Sequence, residues 1–352
     1  MTELLDATEA LCRVPSVSGS EAALADFVEA QLRESAPKLV IDRIGANVVA
    51  RTDHAGGRRI LLGGHLDTVP ANENLEPRRD GDVLHGLGTA DMKGGLAVML
   101  ELAQRAAMGE GRHDATFVFY EGEEVAEEHN GLRRLFAERR ELVDADLAIL
   151  LEPTSGWLEA GCQGTIHVRA TFDGVRAHTA RPWMGANAIH RASSLLAACA
   201  AFEPETVEVD GLEYREALQV VRVEGGVANN VVPDRCEVVV NRRYAPARTL
   251  DDAVTQVREL CAAADRVAVV NASPAAPPNL AHPLIAELIG VYNLPVRPKL
   301  GWTDVARFAA AGIPACNLGP GDPQLAHTAG ERVEATDLEG CAAVLRSFLG
   351  LD

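Results

Sequence analysis

The stretch Arg59-Ile60-Leu61-Leu62-Gly63-Gly64-His65-Leu66-Asp67 decides the reading of this chain. A short apolar strand runs straight into a histidine and an aspartate two positions apart. Side chains two apart on a strand share a face, so His65 and Asp67 both reach into one site at the strand's C-terminal end. A metal-bound histidine commonly has its orientation and tautomer set by a neighbouring carboxylate, and Asp67 is spaced for that task. Asp91, Glu123, Glu124, Glu152 and His327 each stand in a turn-like position after an apolar run. So many acids and histidines do not suit a packed core. They suit a pair of divalent metals.

Working outward, the 352 residues suffice for two domains. Hydrophobic residues make up 47% and aromatics only 4%, so aliphatic packing builds the core. A net charge of −18 with a pI near 5.0 argues against nucleic acid or an anionic membrane as partner, because such surfaces draw affinity from basic patches. The seven cysteines (Cys12, Cys162, Cys199, Cys236, Cys261, Cys316 and Cys341) are scattered, with no C-x-x-C spacing. They point to a reducing compartment rather than to disulfides or a cysteine metal site. Met1-Thr2-Glu3-Leu4-Leu5-Asp6 has neither the basic nor the apolar part of a signal peptide, and no run approaches the ~20 apolar residues of a membrane span. The cytoplasm is the expected location.

The first half alternates helical and strand patterns. A helix is expected from Ser20 to about Arg33, strands at 48–50, 60–62, 115–120 and 147–151, and a helix from about Met92 to Ala107. That alternation predicts an α/β fold with a mostly parallel mixed sheet, whose ligands sit beyond the carboxyl ends of the strands. From about Thr165 the pattern becomes strand 165–173, helix 186–202, strands 217–224 and 235–244, helix 249–264 and strand 266–272. This is the βαββαβ order of a ferredoxin-like domain. It ends in the linker-like Ser273-Pro274-Ala275-Ala276-Pro277-Pro278. For His327 to join the other candidates, the last ~75 residues must return to the first domain. The expected division is 1–164 with 278–352 as the catalytic domain and 165–277 as an inserted domain, with a hinge at its borders.

Each candidate has a plainer reading when taken alone. His65 and Asp67 could be a surface histidine and a cap. Asp91, in Gly88-Thr89-Ala90-Asp91-Met92-Lys93-Gly94, could cap the following helix or bridge two metals. Glu123-Glu124 opens an acidic run, and His327 lies in a loop rich in turn residues. Taken together, two histidines and three carboxylates suit two zinc ions about 3.5–4 Å apart that share one acid and a water-derived hydroxide. Manganese or cobalt could take such sites. Glu123 stands beside a ligand without being needed as one, so it is free to take a proton from water and hand it to a leaving amine. His54, His85, His113, His129, His167, His190 and His282 lack suitable neighbours and read as surface or structural.

His65-Leu66-Asp67-Thr68-Val69-Pro70, Gly88-x-x-Asp91-Met92-Lys93-Gly94, Glu123-Glu124, Glu152-Pro153 and His327 come in an order and spacing that resembles the dinuclear-zinc aminoacylase and carboxypeptidase family. That family includes acetylornithine deacetylases and succinyl-diaminopimelate desuccinylases. The likeness spans nearly the full length and is strongest to the desuccinylase branch. It implies that His65 and Glu152 hold one zinc, Glu124 and His327 the other, with Asp91 bridging. It further implies that Asp67 orients His65 and that Glu123 is general base and acid. His178, in Ala177-His178-Thr179-Ala180-Arg181-Pro182, would enter a partner subunit's active site in a homodimer and donate to the oxyanion. Arg181, Asn229, Asn230, Arg243, Gly301, Thr303 and Arg307 would contact a small-molecule substrate; an arginine fork pairs both oxygens of a carboxylate. Gln324 stands where many desuccinylases carry asparagine. The reaction implied is hydrolysis of N-succinyl-L,L-2,6-diaminopimelate to succinate and L,L-diaminopimelate by a zinc-bound hydroxide. Alternatives are an acetylornithine deacetylase, a dipeptidase or carboxypeptidase, or a non-catalytic metal-stabilised binding protein.

Overall fold

A computed structural model describes residues 2–53, 57–109 and 111–352; His54 and Met1 lie outside them. In chain order the first stretch carries α1 (Thr2–Cys12), α2 (Ala22–Ser35), β1 (Val40–Ile44), β2 (Asn47–Arg51), β3 (Arg59–His65), β4 (Arg78–Asp80), β5 (Val83–His85), α3 (Gly94–Met108), β6 (Asp114–Tyr120), α4 (Gly131–Glu138), β7 (Leu147–Leu150) and β8 (Leu158–Ala160). There follow β9 (Gly164–Asp173), α5 (Ala188–Arg191), α6 (Ser193–Ala200), β10 (Thr206–Val209), β11 (Leu212–Arg215), β12 (Ala217–Gly225), β13 (Arg235–Tyr244), α7 (Leu250–Leu260) and β14 (Arg266–Ser273). The chain closes with α8 (Pro283–Tyr292), β15 (Val296–Pro298), α9 (Val305–Ala310), β16 (Ala315–Asn317), β17 (Arg332–Glu334) and α10 (Ala335–Leu349).

Two compact units result: 1–160 with 279–297 and 307–352, and 161–278 with 298–306. The expected borders therefore shift. The second unit begins at Gly161, not Thr165, and residues 298–306, assigned from sequence to the catalytic domain, belong to it. The reason is local: Trp302 donates from its indole to the Pro274 carbonyl (3.1 Å), and the Cys162 thiol lies 3.8 Å from the Thr303 carbonyl.

The first unit is built on an eight-stranded mixed sheet in the order β1-β2-β6-β3-β7-β16-β8-β15. Its centre, β6-β3-β7-β16, is parallel, and β2 and β8 flank it antiparallel. The central strands β3, β6 and β7 are buried almost throughout, as a parallel sheet covered on both faces demands. Helix α3 packs on β3 and β6 and against α1, α2 and α10. Its early glycines allow that approach: a Cβ on Gly95 would stand 2.5 Å from the Leu151 carbonyl oxygen. The parallel centre sends the carboxyl ends of four strands to one edge, and the loops from that edge carry the candidate residues.

The second unit holds a four-stranded antiparallel sheet, β12-β13-β9-β14. Alternation along β9 buries Ile166, Val168, Ala170 and Phe172 in a core shared with α5, α6 and α7. The expected single helix over 186–202 is two pieces, and a β10–β11 hairpin stands before β12. The opposite face is polar. Register places Gln219, Asn241, His167 and Asn271 in one row across all four strands, and Ala217, Arg243, Thr165 and Ser273 in the next.

Candidate metal centre

His65 ends β3, Glu123 and Glu124 follow β6, Glu152 follows β7, and His327 lies in the loop from β16 to β17. Asp91 comes from the turn Thr89–Lys93 that leads into α3, where the backbone leaves helical geometry at Asp91 (φ −120°, ψ 90°) and the Asp91–Met92 peptide is cis. Donor atoms of three sets, His65 with Asp91 and Glu152, His65 with Glu123 and Glu124, and Asp91 with Glu124 and His327, each lie within 4.8 Å of one another. Six of the seven acids and histidines singled out from sequence thus fall in overlapping sets, and the seventh, Asp67, accepts the amides of Glu123 and Glu124.

Asp91 is the centre of the arrangement. One carboxylate oxygen is 3.1 Å from His65 Nε2, and the other is 3.4 Å from His327 Nε2. His327 Nε2 also lies 2.7 Å from Glu124 Oε1. Both histidines are proton-loving here. Burial opposes charge on His65, but bonds to Asp67 and Asp91 outweigh it and raise its pKa well above the ordinary value. The Asp91 bond, helped by Glu124, lifts His327 to about 9. Burial works against ionised Asp91, yet His327 and His65 hold it below the usual carboxylate range. Glu124 is raised by burial, and the neighbouring Asp91 charge adds to this.

Asp67 organises rather than faces this cluster. It is fully buried, accepts the amides of Glu123 and Glu124 (both 3.0 Å) and accepts the Ser18 hydroxyl (2.7 Å). Burial alone would raise it, but His65, Ser18 and the Glu124 amide bring it down to about 2. Its nearest atom to His65 Nδ1 is the backbone carbonyl at 3.0 Å, with the carboxylate at 3.5 Å. A carbonyl partner fixes Nδ1 as a donor and turns Nε2 toward Asp91.

Among the described residues, Asp67, Asp91 and Glu124 have no lysine or arginine partner; histidines, Ser18 and amides bond to them. Such an excess of buried and half-buried acid fits divalent cations. The donor set, imidazole and carboxylate without thiolate, suits zinc and admits manganese or cobalt.

In the second unit, His178, Arg181, Asn229 and Asn230 stay together. His178 bridges Val231 across a short antiparallel contact, the Thr179 amide donates to the Asn230 carbonyl (3.1 Å), and the Arg181 amide donates to the His178 carbonyl (2.8 Å). All four are exposed. The Ala180 amide donates to His178 Nδ1 (3.0 Å), which leaves the ring proton on Nε2. Arg243 is half-buried on the polar sheet face without a carboxylate partner among the described residues, and burial lowers its pKa. Thr303 is buried and Gly301 exposed, while Arg307 lies in the first unit and pairs with Glu127 (3.1 Å). His167, read from sequence as isolated, receives the Asn241 amide at 2.6 Å. His113 is 8% exposed against Phe348.

Two residues at the cluster escaped the sequence reading. Ser18 holds Asp67 across 49 positions, and Glu331 accepts the amides of Ala90 and Asp91 (3.1 and 3.0 Å). Burial raises Glu331 to about 7. Neither has a spacing that marks it; only its position after His327 connects Glu331 to the cluster.

Known proteins resemble this chain over nearly its whole length. A Mycobacterium tuberculosis relative is 47% identical over 98% of both chains. A succinyl-diaminopimelate desuccinylase of Corynebacterium glutamicum is 44% identical, covering 97% of this chain and 95% of its own. Among solved structures, a tripeptidase from Staphylococcus aureus superposes with a TM-score of 0.82 at 22% identity, over 99% of this chain and 98% of that one. Residues 61–350 match the profile of peptidase family M20/M25/M40, and the chain belongs to that family.

Proposed function

We propose that the chain hydrolyses N-succinyl-L,L-2,6-diaminopimelate to succinate and L,L-diaminopimelate, a step toward lysine and cell-wall precursors, with two zinc ions held by His65, Asp91, Glu124, Glu152 and His327. The observation that carries the metal reading is Asp91, whose two oxygens divide between His65 and His327. The substrate reading rests on 44% identity to the Corynebacterium glutamicum desuccinylase. When bound, two divalent cations supply Lewis acidity and bring the pKa of water toward neutrality.

The residues then divide the work. Glu123 takes a proton from the attacking water as its oxygen bonds to the amide carbon, and returns that proton to the nitrogen as the C–N bond breaks. His178, with its proton held on Nε2, donates to the oxyanion. In our reading it does so in the partner subunit of a homodimer formed by the inserted, ferredoxin-like domain. The exposed Trp183, Met184, Val221 and Val223 of that unit favour such a contact. Arg243, lacking an acidic partner among the described residues, is suited to a substrate carboxylate, with Arg181, Asn229, Asn230, Gly301, Thr303 and Arg307 as further contacts. Seven buried cysteines without a disulfide favour the cytoplasm. No helix among the described residues is long and apolar enough to cross a membrane.

The test is a metal count per chain combined with steady-state assays on succinylated diaminopimelate, acetylornithine and a dipeptide. Two zincs and a preference for the succinyl substrate are expected. Turnover of acetylornithine or the dipeptide orders of magnitude faster overturns the substrate and leaves the chemistry. Light scattering that reports a fully active monomer removes the dimer and the role of His178 in its partner.

A further inference from the structure

Glu331 is a buried carboxylate, 2% exposed, brought to the Asp91 turn across 240 positions of sequence. It stands four residues after His327 and directly before β17, whose ladder with β5 fixes it in place. Its own carbonyl accepts the Gly86 amide (3.1 Å) in continuation of that ladder. One oxygen, Oε1, accepts the amides of both Ala90 and Asp91, at 3.1 and 3.0 Å. These amides need an acceptor. The turn leaves helical geometry at Asp91 and Met92, so the regular i→i−4 pattern does not satisfy it, and a buried amide without a partner is costly. Two residues further on, the buried Lys93 ammonium donates to the carbonyls of Val14 (2.9 Å) and Leu11 (3.3 Å) at the end of α1. The turn is therefore gripped by a buried acid on one side of Asp91 and a buried base on the other.

We propose that Glu331 is a positioning residue for the bridging carboxylate: by holding the Ala90 and Asp91 amides it sets the plane of the Asp91 side chain, so that one oxygen serves the His65 side and the other the His327 side. This rests on the dinuclear reading given above. Glu331 touches no reacting atom and acts through Asp91. Because His327 and Glu331 share one short segment, the same loop supplies a terminal ligand and aligns the shared one. Without the Glu331 acceptor the turn can rotate, and Asp91 can still serve one histidine but not both. The loss should therefore fall on one of two metals.

The experiment uses the full-length protein, stripped of metal and titrated with zinc against a chromophoric chelator, for wild type, Glu331→Ala and Glu331→Gln. Thermal melting and the separate kcat and KM are recorded alongside. Glu331→Ala should weaken one of the two zincs by about 10–100-fold, the range seen when a ligand loses its supporting partner, and lower kcat by a similar factor while KM stays within about twofold. Glu331→Gln keeps a carbonyl oxygen for both amides and should restore zinc affinity and kcat to within a few-fold of wild type. A folded Glu331→Ala protein that binds both zincs as wild type does, or a Glu331→Gln protein as impaired as the alanine variant, overturns the proposal. Should the alanine variant not fold, Glu331→Asp decides. Its shorter side chain cannot hold both amides, so selective loss of one zinc supports the role, and unchanged binding of both refutes it. A wild type that binds a single zinc sinks the dinuclear reading itself, and the bridging role with it, whatever the variants do.

Discussion

Glu123 shows how a residue's role depends on its neighbours' backbone. Its amide and that of Glu124 both donate to Asp67, at 3.0 Å each, so the two adjacent glutamates are pinned at the main chain while a carboxylate oxygen of each comes within 4.8 Å of the other and of His65. One of the pair can then bind metal while the other handles protons. Glu123→Gln should keep both metals and lose about 10²–10⁴-fold in kcat, the usual contribution of a positioned acid–base group. Metal analysis beside a kinetic assay checks this, and activity within tenfold of wild type contradicts it. His327 carries a second prediction. Its pKa of about 9 in the metal-free protein means that it is protonated at neutral pH, so zinc must displace that proton. Zinc uptake at pH 7.5 should release protons, and apparent affinity should fall as pH is lowered below 9. Calorimetry in two buffers of different ionisation enthalpy reads the release directly; an enthalpy independent of buffer rules it out.

At the scale of elements, the cluster depends on how closely α3 lies against the strand ends. Gly95 stands where a Cβ would meet the Leu151 carbonyl oxygen at 2.5 Å, and backbone cannot turn aside as a side chain can. Gly95→Ala should therefore cost about 1–3 kcal/mol, the range for overpacking. Gly340 in α10 offers the opposite case, with open space around its missing Cβ. Gly340→Ala should stabilise by about 0.5–1 kcal/mol through helix propensity alone. Urea melts of the two variants settle both signs, and a neutral Gly95→Ala would mean that α3 can shift without cost. Elements also show where sequence reading stopped. The runs of β3, β6 and β7 were visible because a buried parallel strand is continuously apolar. The β10–β11 hairpin was not, because its exposed Glu208 and Glu213 and half-buried Val207 and Val209 give no apolar run.

For the molecule as a whole, a buried histidine away from the cluster adds a contribution to its response to acid. His113 is 8% exposed, and neither ring nitrogen has a hydrogen-bond partner among the described residues. Burial lowers its pKa below 6.5, and Arg112 adds to this while Glu287 opposes it. The unfolded chain therefore takes up the proton first as pH falls. The stability due to neutral His113 is complete above pH 6.5 and is lost as pH drops from 6.5 through the lowered folded value. As pH is lowered from 7.5 to 5.5 the urea midpoint should fare worse in the wild type than in His113→Gln, because only the wild type loses the contribution of neutral His113. Equal declines in both proteins would remove His113 as the cause.

The sequence by itself determined the type of the central strands, the mixed and mostly parallel sheet, and the acids and histidines that collect beyond its carboxyl ends. Each was legible because it rests on local patterns: an apolar run has a fixed length, and a turn residue after a strand has a fixed side. Tertiary structure alone decided what holds those residues in place. Ser18 reaches Asp67 and Glu331 reaches the Asp91 turn through contacts between distant segments, and 298–306 joins the second unit through Trp302 and Thr303. Such contacts leave no periodicity, because a hydrogen bond across 49 or 240 positions imposes nothing on the residues between.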